Sequence, residues 1–89
     1  MMTESSFISD LAIPPGEYLG EVLQDVGVSQ AELARRMGRP YQAINEIVRG
    51  EKAITSDTAL QLEHVLGVSA QFWRQLEAEY RLILAQQKL

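Results

Sequence analysis

The chain of 89 residues is 46% hydrophobic and 22% charged, which suits one small folded domain and leaves no length for a second core. It has no cysteine and a single histidine, so disulfide frameworks and metal sites built on cysteine or several histidines are excluded. No apolar run is long enough to cross a bilayer. We therefore expect a cytoplasmic protein without membrane association, metal or cofactor.

The charge distribution indicates that a nucleic-acid interface, if there is one, lies in the middle of the chain. The net charge of −4 by itself argues against a polyanionic partner. The charge is uneven, however: residues 1–28 sum to −5 and residues 53–89 to −1, whereas residues 29–52 sum to +2. Phosphate binding is therefore expected in the middle third of the chain.

The N-terminal part of the chain predicts an arm and then a first helix. Residues 1–12 show no sustained hydrophobic period and predict a mobile arm before a domain that spans residues 13–89. Pro15 is typical of a helix start, and Gly27 is a natural left-handed stop. The residues between them that recur at helical spacing are Tyr18, Leu19, Val22, Leu23 and Val26.

A helix-turn-helix unit is predicted next. Ser29 followed by Glu32 is a capping box that opens a second helix, and Gly38 ends that helix after about two turns. Pro40 suits the first turn of a third helix, which continues to about Arg49. The residues that face inward from these two helices are Ala31, Leu33, Ala34, Met37, Ile44, Ile47 and Val48. Two short helices joined by a tight turn are typical of this DNA-binding motif.

Two further helices complete an all-α prediction. Thr55 caps a fourth helix that ends before Gly67, and Ser69 caps a fifth that covers residues 70–89. No part of the chain alternates with the period of a strand. The expected fold is therefore five helices, with the helix-turn-helix at the second and third. The inward positions of the fourth helix are Ala59, Leu60, Leu62, Val65 and Leu66.

The outward face of the third predicted helix carries side chains suited to reading DNA. Since its isoleucines point inward, the outward side chains near its start are Tyr41, Gln42 and Asn45. Amides pair bidentately with adenine, and a tyrosine ring can contact a thymine methyl group, so we expect these three residues to read bases. The residues expected to contact phosphate are Gln30, Arg39, Arg49 and Lys52.

On spacing alone, the two short helices could equally be a hairpin in a protein-interaction bundle, and the acidic pI near 4.8 favours that alternative. A solvated helix normally carries paired lysines and glutamates, whereas the third helix carries a tyrosine and two amides, which favours DNA. An enzyme is the weakest hypothesis. The chain has no cysteine, no histidine pair and no glycine-rich phosphate loop, and we assign no catalytic residue.

Several short motifs follow one another in unbroken order between Ile13 and Tyr80. They are Gln30-Ala31-Glu32-Leu33-Ala34, Gly38, Ile44-Asn45-Glu46-Ile47, Gly50, Ala53-Ile54-Thr55 and Asp57-Thr58-Ala59-Leu60. In this order they resemble the lambda-repressor-like XRE family of regulators. Three further features are similar to the HigA antitoxin branch of that family: Pro15-Gly16-Glu17, Asn45-Glu46-Ile47 and, after Ser69, Phe72-Trp73.

The resemblance implies a repressor of its own operon that binds double-stranded DNA and also silences a small basic toxin that cuts mRNA. An alternative stays open, because Gly38-Arg39-Pro40 also resembles regulators that carry a zinc peptidase domain of the ImmA/IrrE kind. The chain would then be an XRE regulator, or the DNA-binding module of a larger one, without a toxin partner.

A homodimer is expected, because one helix-turn-helix of this size covers too little DNA to bind both tightly and selectively. Two copies would read an inverted-repeat operator. The apolar stripe of the fifth helix is longer than the other four helices need to complete the core, and this indicates that the excess contacts the second copy of the chain. The residues expected at this interface are Phe72, Trp73, Leu76, Tyr80, Ile83 and Leu84.

Overall fold

The computed structural model describes residues 12–89 and contains five helices over that range. They are α1 (Pro15–Val26), α2 (Gln30–Met37), α3 (Tyr41–Val48), α4 (Ser56–Leu66) and α5 (Ala70–Gln87). No strand forms between residues 12 and 89, and the all-α prediction is confirmed. None of the five helices is both long and apolar enough to span a bilayer. The predicted arm lies outside the described residues except for Ala12.

Short-range signals determine where the helices begin and end. Ser29 Oγ accepts the backbone N–H of Glu32 at 3.0 Å, which is one half of the predicted capping box; the Glu32 carboxylate binds Arg35 and Arg36 in place of the Ser29 N–H. Thr55 and Ser69 cap α4 and α5 in the same way. Gly38 ends α2 with a φ of 67°, which lets the chain turn at once into α3. Helix α3 is one residue shorter at each end than predicted, because the flanking proline and arginine serve as its caps.

The core lies where the helices meet: α2 packs on α3 and α4, α1 packs on α3 and α5, and α5 packs on α4. The largest fully buried side chains are Trp73, Leu19, Leu33, Ile44, Ile54 and Leu62. Four residues predicted to face inward are exposed instead: Tyr18, Val26, Ala31 and Leu60. Helical periodicity marks an apolar stripe, but the neighbouring helices cover only its middle.

The start of α1 lies directly against the end of α3. A Cβ atom added to Gly16 would lie 1.7 Å from the carbonyl oxygen of Ile47 and 2.9 Å from the Cα atom of Val48. Gly50 makes a similar approach, since an added Cβ atom there would lie 2.7 Å from Cγ of Pro14. At Gly16 backbone therefore meets backbone, whereas at Gly50 backbone meets the proline ring, and these two contacts determine the position of α1 relative to α3.

Candidate nucleic-acid interface

Helices α2 and α3 form the predicted helix-turn-helix, and the first turn of α3 faces solvent. Tyr41 is 53% exposed and Gln42 is also exposed, whereas Ile44 and Ile47 are buried in the core. The inner face of α3 is thus held by packing while the side chains of its first turn stay accessible. This is the arrangement that lets a helix enter the major groove and present its N-terminal residues to base edges.

Asn45 is held by Gln30 at the start of α2. Its Nδ2 atom donates to Gln30 Oε1 at 3.0 Å, and both side chains are half-buried. The sequence assigned one residue to bases and the other to phosphate, but it offered no signal that pairs them across 15 positions. The bond orients the Asn45 amide and leaves it further donor and acceptor capacity for a base edge. The start of α2, where phosphate is attracted, is thereby tied to the residue expected to read a base.

Carboxylates hold the cations expected to contact phosphate at the end of α3. Glu46 Oε1 lies 3.8 Å from Lys52 Nζ, and Glu51 Oε2 lies 3.1 Å from a terminal guanidinium nitrogen of Arg49. Glu46 also accepts a long hydrogen bond of 3.4 Å from Gln42 Nε2. The two cationic side chains are about two-thirds exposed, so these ion pairs are weak and exchangeable. The sequence carried no signal of the pairing between Glu46 and Lys52.

Arg39 occupies a different environment from the other expected phosphate contacts. Its Nε atom donates to Gln61 Oε1 at 2.6 Å, and Gln61 Nε2 donates to the carbonyl oxygen of Met37 at 3.1 Å. Arg39 is half-buried and joins the turn after α2 to α4. Gln61 is 22 residues away along the chain, and sequence reasoning missed it. This position gives Arg39 a structural role in addition to the phosphate contact that we expect.

Glu32 binds two arginines on the outer face of α2. Its carboxylate accepts hydrogen bonds from Nε of Arg35 at 3.1 Å and from Nε of Arg36 at 2.8 Å. These bonds, with that of Arg35 the stronger influence, lower the pKa of Glu32 from the usual 4.5 to about 2. The same pairing raises the pKa of the Arg35 guanidinium. Glu32 therefore balances one of the two positive charges of Arg35 and Arg36 within α2.

A shallow apolar groove runs between α1 and α5, and we call it the α1–α5 groove. Three of the residues expected at a dimer interface line it, and a fourth, Phe72, lies edge-on to Tyr18 with ring centroids 5.6 Å apart. Trp73 is fully buried in the core, so its side chain has no surface left for a partner and we leave it out of the interface. Leu84 is half-buried further along α5. The groove is lined by Ile13, Pro15, Tyr18, Leu76, Glu79, Tyr80 and Ile83.

Comparison with known proteins gives consistent matches to one family. Residues 19–73 match the family model described as helix-turn-helix. Over 77 residues the chain is 43% identical to virulence-associated protein I of Dichelobacter nodosus, which covers 85% of this chain and 71% of that protein.

Solved structures show the same similarity at the level of the fold. The antitoxin HigA of Pseudomonas aeruginosa, solved with the higBA promoter, superposes with a TM-score of 0.83 and 38% identity, covering 88% of this chain and 86% of that one. An addiction module antidote protein of the HigA family from Coxiella burnetii superposes with a TM-score of 0.82 and 35% identity, covering 85% of this chain and 84% of that one.

Proposed function

We propose that this chain, which belongs to the helix-turn-helix family and within it to the HigA antitoxin branch, is a repressor that binds an inverted-repeat operator as a homodimer. One observation carries the proposal. The exposed first turn of α3 presents Tyr41 and Gln42 to solvent, and the adjoining amide of Asn45 is already oriented by Gln30 at 3.0 Å. A surface of oriented amides on an accessible helix is suited to base edges in the major groove.

The base-reading residues in this proposal are Tyr41, Gln42 and Asn45. The amides recognise adenine through paired hydrogen bonds, and the tyrosine contacts a thymine methyl group or a phosphate. The phosphate contacts are Gln30, Arg39, Arg49 and Lys52. Arg49 and Lys52 would exchange one anionic partner for another. Arg49 would leave Glu51, at 3.1 Å, and Lys52 would leave Glu46, at 3.8 Å, to bind a phosphate oxygen. Such contacts set affinity and its dependence on salt, whereas the base contacts set sequence preference.

The proposed dimer surface is the α1–α5 groove together with the exposed side of α5. Leu76, Tyr80 and Ile83 line the groove, Phe72 lies beside it, and Leu84 extends it along α5. Ile13 and Tyr18 are 53% and 47% exposed, so a second copy would remove large apolar side chains from water. A two-fold arrangement would place two α3 helices about one turn of DNA apart, roughly 34 Å, on an inverted repeat.

The experiment that tests this proposal separates base contacts from phosphate contacts. The operator is first located by footprinting on the DNA upstream of the protein's own gene. Gln42→Ala and Asn45→Ala are expected to weaken operator binding by about 1–3 kcal/mol each and to relax base preference at their positions. Lys52→Ala is expected to weaken binding to operator and random duplex alike, and to lower the slope of log K against log salt by about one.

A control outside the proposed DNA and dimer surfaces is His64→Ala, which removes an exposed polar side chain from α4 and should leave both measurements at the wild-type level. Equal losses on operator and random DNA for Gln42→Ala and Asn45→Ala would refute the base-reading assignment. A wild-type salt slope for Lys52→Ala would refute the phosphate assignment.

We also propose a toxin as the second partner, supported by the membership of the HigA branch. The partner expected from that branch is a small basic protein that cuts mRNA, encoded beside this chain. Expression of the neighbouring small reading frame alone should arrest growth, and co-expression of this chain should restore it and yield a complex that co-purifies. A neighbouring frame that is harmless when expressed alone would refute the toxin pairing and would leave a repressor without a toxin.

A further inference from the structure

A polar stripe on α5 faces the segment that follows α3. Arg74, Glu77 and Arg81 recur at three- and four-residue spacing, which places them on one side of the helix. Glu77 is 5% exposed, and a buried carboxylate is unfavourable unless its oxygens are hydrogen-bonded or paired with a cation. Both oxygens are satisfied: Oε1 accepts the backbone N–H of Ile54 at 3.0 Å, and Oε2 accepts Nε of Arg81 at 2.7 Å.

Helix α5 binds both backbone polar groups of Ile54. Besides the N–H that Glu77 accepts, the Ile54 carbonyl oxygen accepts a terminal guanidinium N–H of Arg74 at 2.6 Å. The Ile54 side chain is 1% exposed and lies in the core. A residue held by its side chain, its N–H and its carbonyl oxygen has little freedom to move. The end of the segment between α3 and α4 is thus attached to α5.

The beginning of the same segment is attached to α3. The backbone N–H groups of Glu51 and Lys52 donate to the carbonyl oxygen of Glu46 at 2.8 and 3.2 Å. Only Ala53 separates this attachment from Ile54. The backbone of Lys52 is therefore held between α3, the proposed recognition helix, on one side and α5 on the other, although the Lys52 side chain is 66% exposed.

We propose that Glu77 is a positioning residue for DNA binding: its carboxylate holds the Ile54 backbone so that Lys52 projects beside α3 toward the phosphate backbone, without itself touching DNA. The inference rests on the proposed function, in which Lys52 contacts phosphate. Loss of the acceptor at Glu77 removes one of the three restraints on Ile54, and Lys52 then samples positions from which a fixed phosphate is not reached. The loss appears in the salt dependence of binding, because one phosphate contact contributes about one unit to the slope.

The test compares five further variants of the full chain with Lys52→Ala and the wild type on the operator. Glu77→Leu keeps the size of the side chain and removes the acceptor, whereas Glu77→Gln keeps an oxygen that can accept the Ile54 N–H. Arg74→Ala and Arg81→Ala each remove one positive charge from the same stripe, but only Arg74 holds Ile54 directly. The fifth variant combines Glu77→Leu with Lys52→Ala. Helical circular dichroism at the binding temperature checks that each variant is folded.

The expected result is that Glu77→Leu and Arg74→Ala lower the salt slope by about one, as Lys52→Ala does, while Glu77→Gln and Arg81→Ala keep the wild-type slope. The double variant should lose no more operator affinity and no more salt slope than Lys52→Ala alone, because both changes remove the same contact. A folded Glu77→Leu variant with the wild-type slope, or full additivity in the double variant, would overturn the positioning role and leave the proposed function intact.

A wild-type slope for Lys52→Ala would refute the phosphate contact and the positioning role together. If Glu77→Leu does not fold, the positioning role is tested by comparing the salt slopes of Arg74→Ala and Arg81→Ala. Both residues are exposed, and each change removes one positive charge. Equal slopes for that pair would overturn the inference.

Discussion

Replacing Gly16 with alanine tests the backbone contact between α1 and α3. The added Cβ atom would lie 1.7 Å from the Ile47 carbonyl oxygen, 2.7 Å from its carbon and 2.9 Å from the Val48 Cα atom. All three are backbone atoms of the recognition helix and its end, so no side-chain rotation can relieve the overlap. One of the two helices must move away from the other, which also loosens the core between them.

The expected effect is a large loss of stability. Overpacking of a well-packed interior typically costs 1–3 kcal/mol, and an overlap with immobile backbone belongs at the upper end, about 3 kcal/mol. A domain of this size loses roughly 4–8 °C in melting temperature per kcal/mol, so Gly16→Ala should lower the midpoint by roughly 12–24 °C. The operator affinity should fall as well, because the displaced contact lies at the end of α3.

Gly20→Ala is the matched control, with the same substitution four residues later in the same helix. A Cβ atom at Gly20 would meet only a side-chain methyl group of Val48, at an ordinary 3.6 Å. Alanine is favoured over glycine inside a helix by about 0.5–1 kcal/mol, so this variant should melt at a higher temperature than the wild type. Thermal unfolding followed by circular dichroism at one fixed protein concentration measures both variants. A Gly16→Ala protein that melts with or above the wild type would refute the close approach of α1 to α3.

Two further predictions concern assembly and pH. The double variant Leu76→Asp with Ile83→Asp should keep its helical circular dichroism but sediment as a monomer and lose most operator affinity; a variant that still dimerises would rule out the α1–α5 groove. The lowered pKa of Glu32 means that its contribution to stability is fully present above about pH 4.5 and is lost as the pH falls toward about 2. In Glu32→Gln the free energy of unfolding should therefore fall less steeply than in the wild type as the pH drops through that range. An unchanged dependence on pH would contradict the pairing with Arg35 and Arg36.

The sequence predicts the local features of the structure because their signals lie within a few residues. The capping of α2 by Ser29, the stop at Gly38 and the burial of Ile44 and Ile47 are all confirmed. Helical spacing by itself does not tell how wide a stripe the neighbouring helices cover, and Leu60 is exposed for that reason.

The polar contacts that join different helices could not be predicted in the same way. Asn45 pairs with Gln30 across 15 residues, Arg39 with Gln61 across 22, and Glu77 with the Ile54 backbone across 23. In each pair the two residues lie on different segments of the chain, and neither segment by itself indicates its partner. Only the packing of the helices brings the donors and acceptors together, so a single sequence carries no local mark of these pairs.

The carboxylates beside Arg49 and Lys52 have a consequence for the time that the protein spends on DNA while it searches. In the proposed function, Arg49 and Lys52 must each leave Glu51 or Glu46 before they contact a phosphate of a random duplex, so the net gain in binding free energy per contact is smaller than for an unpaired cation. Short visits and rapid release follow, because non-specific binding depends almost entirely on such contacts. At the operator the base contacts add to the same weakened attraction. If these contacts are made as proposed, the residence time on DNA should be set mainly by the base sequence.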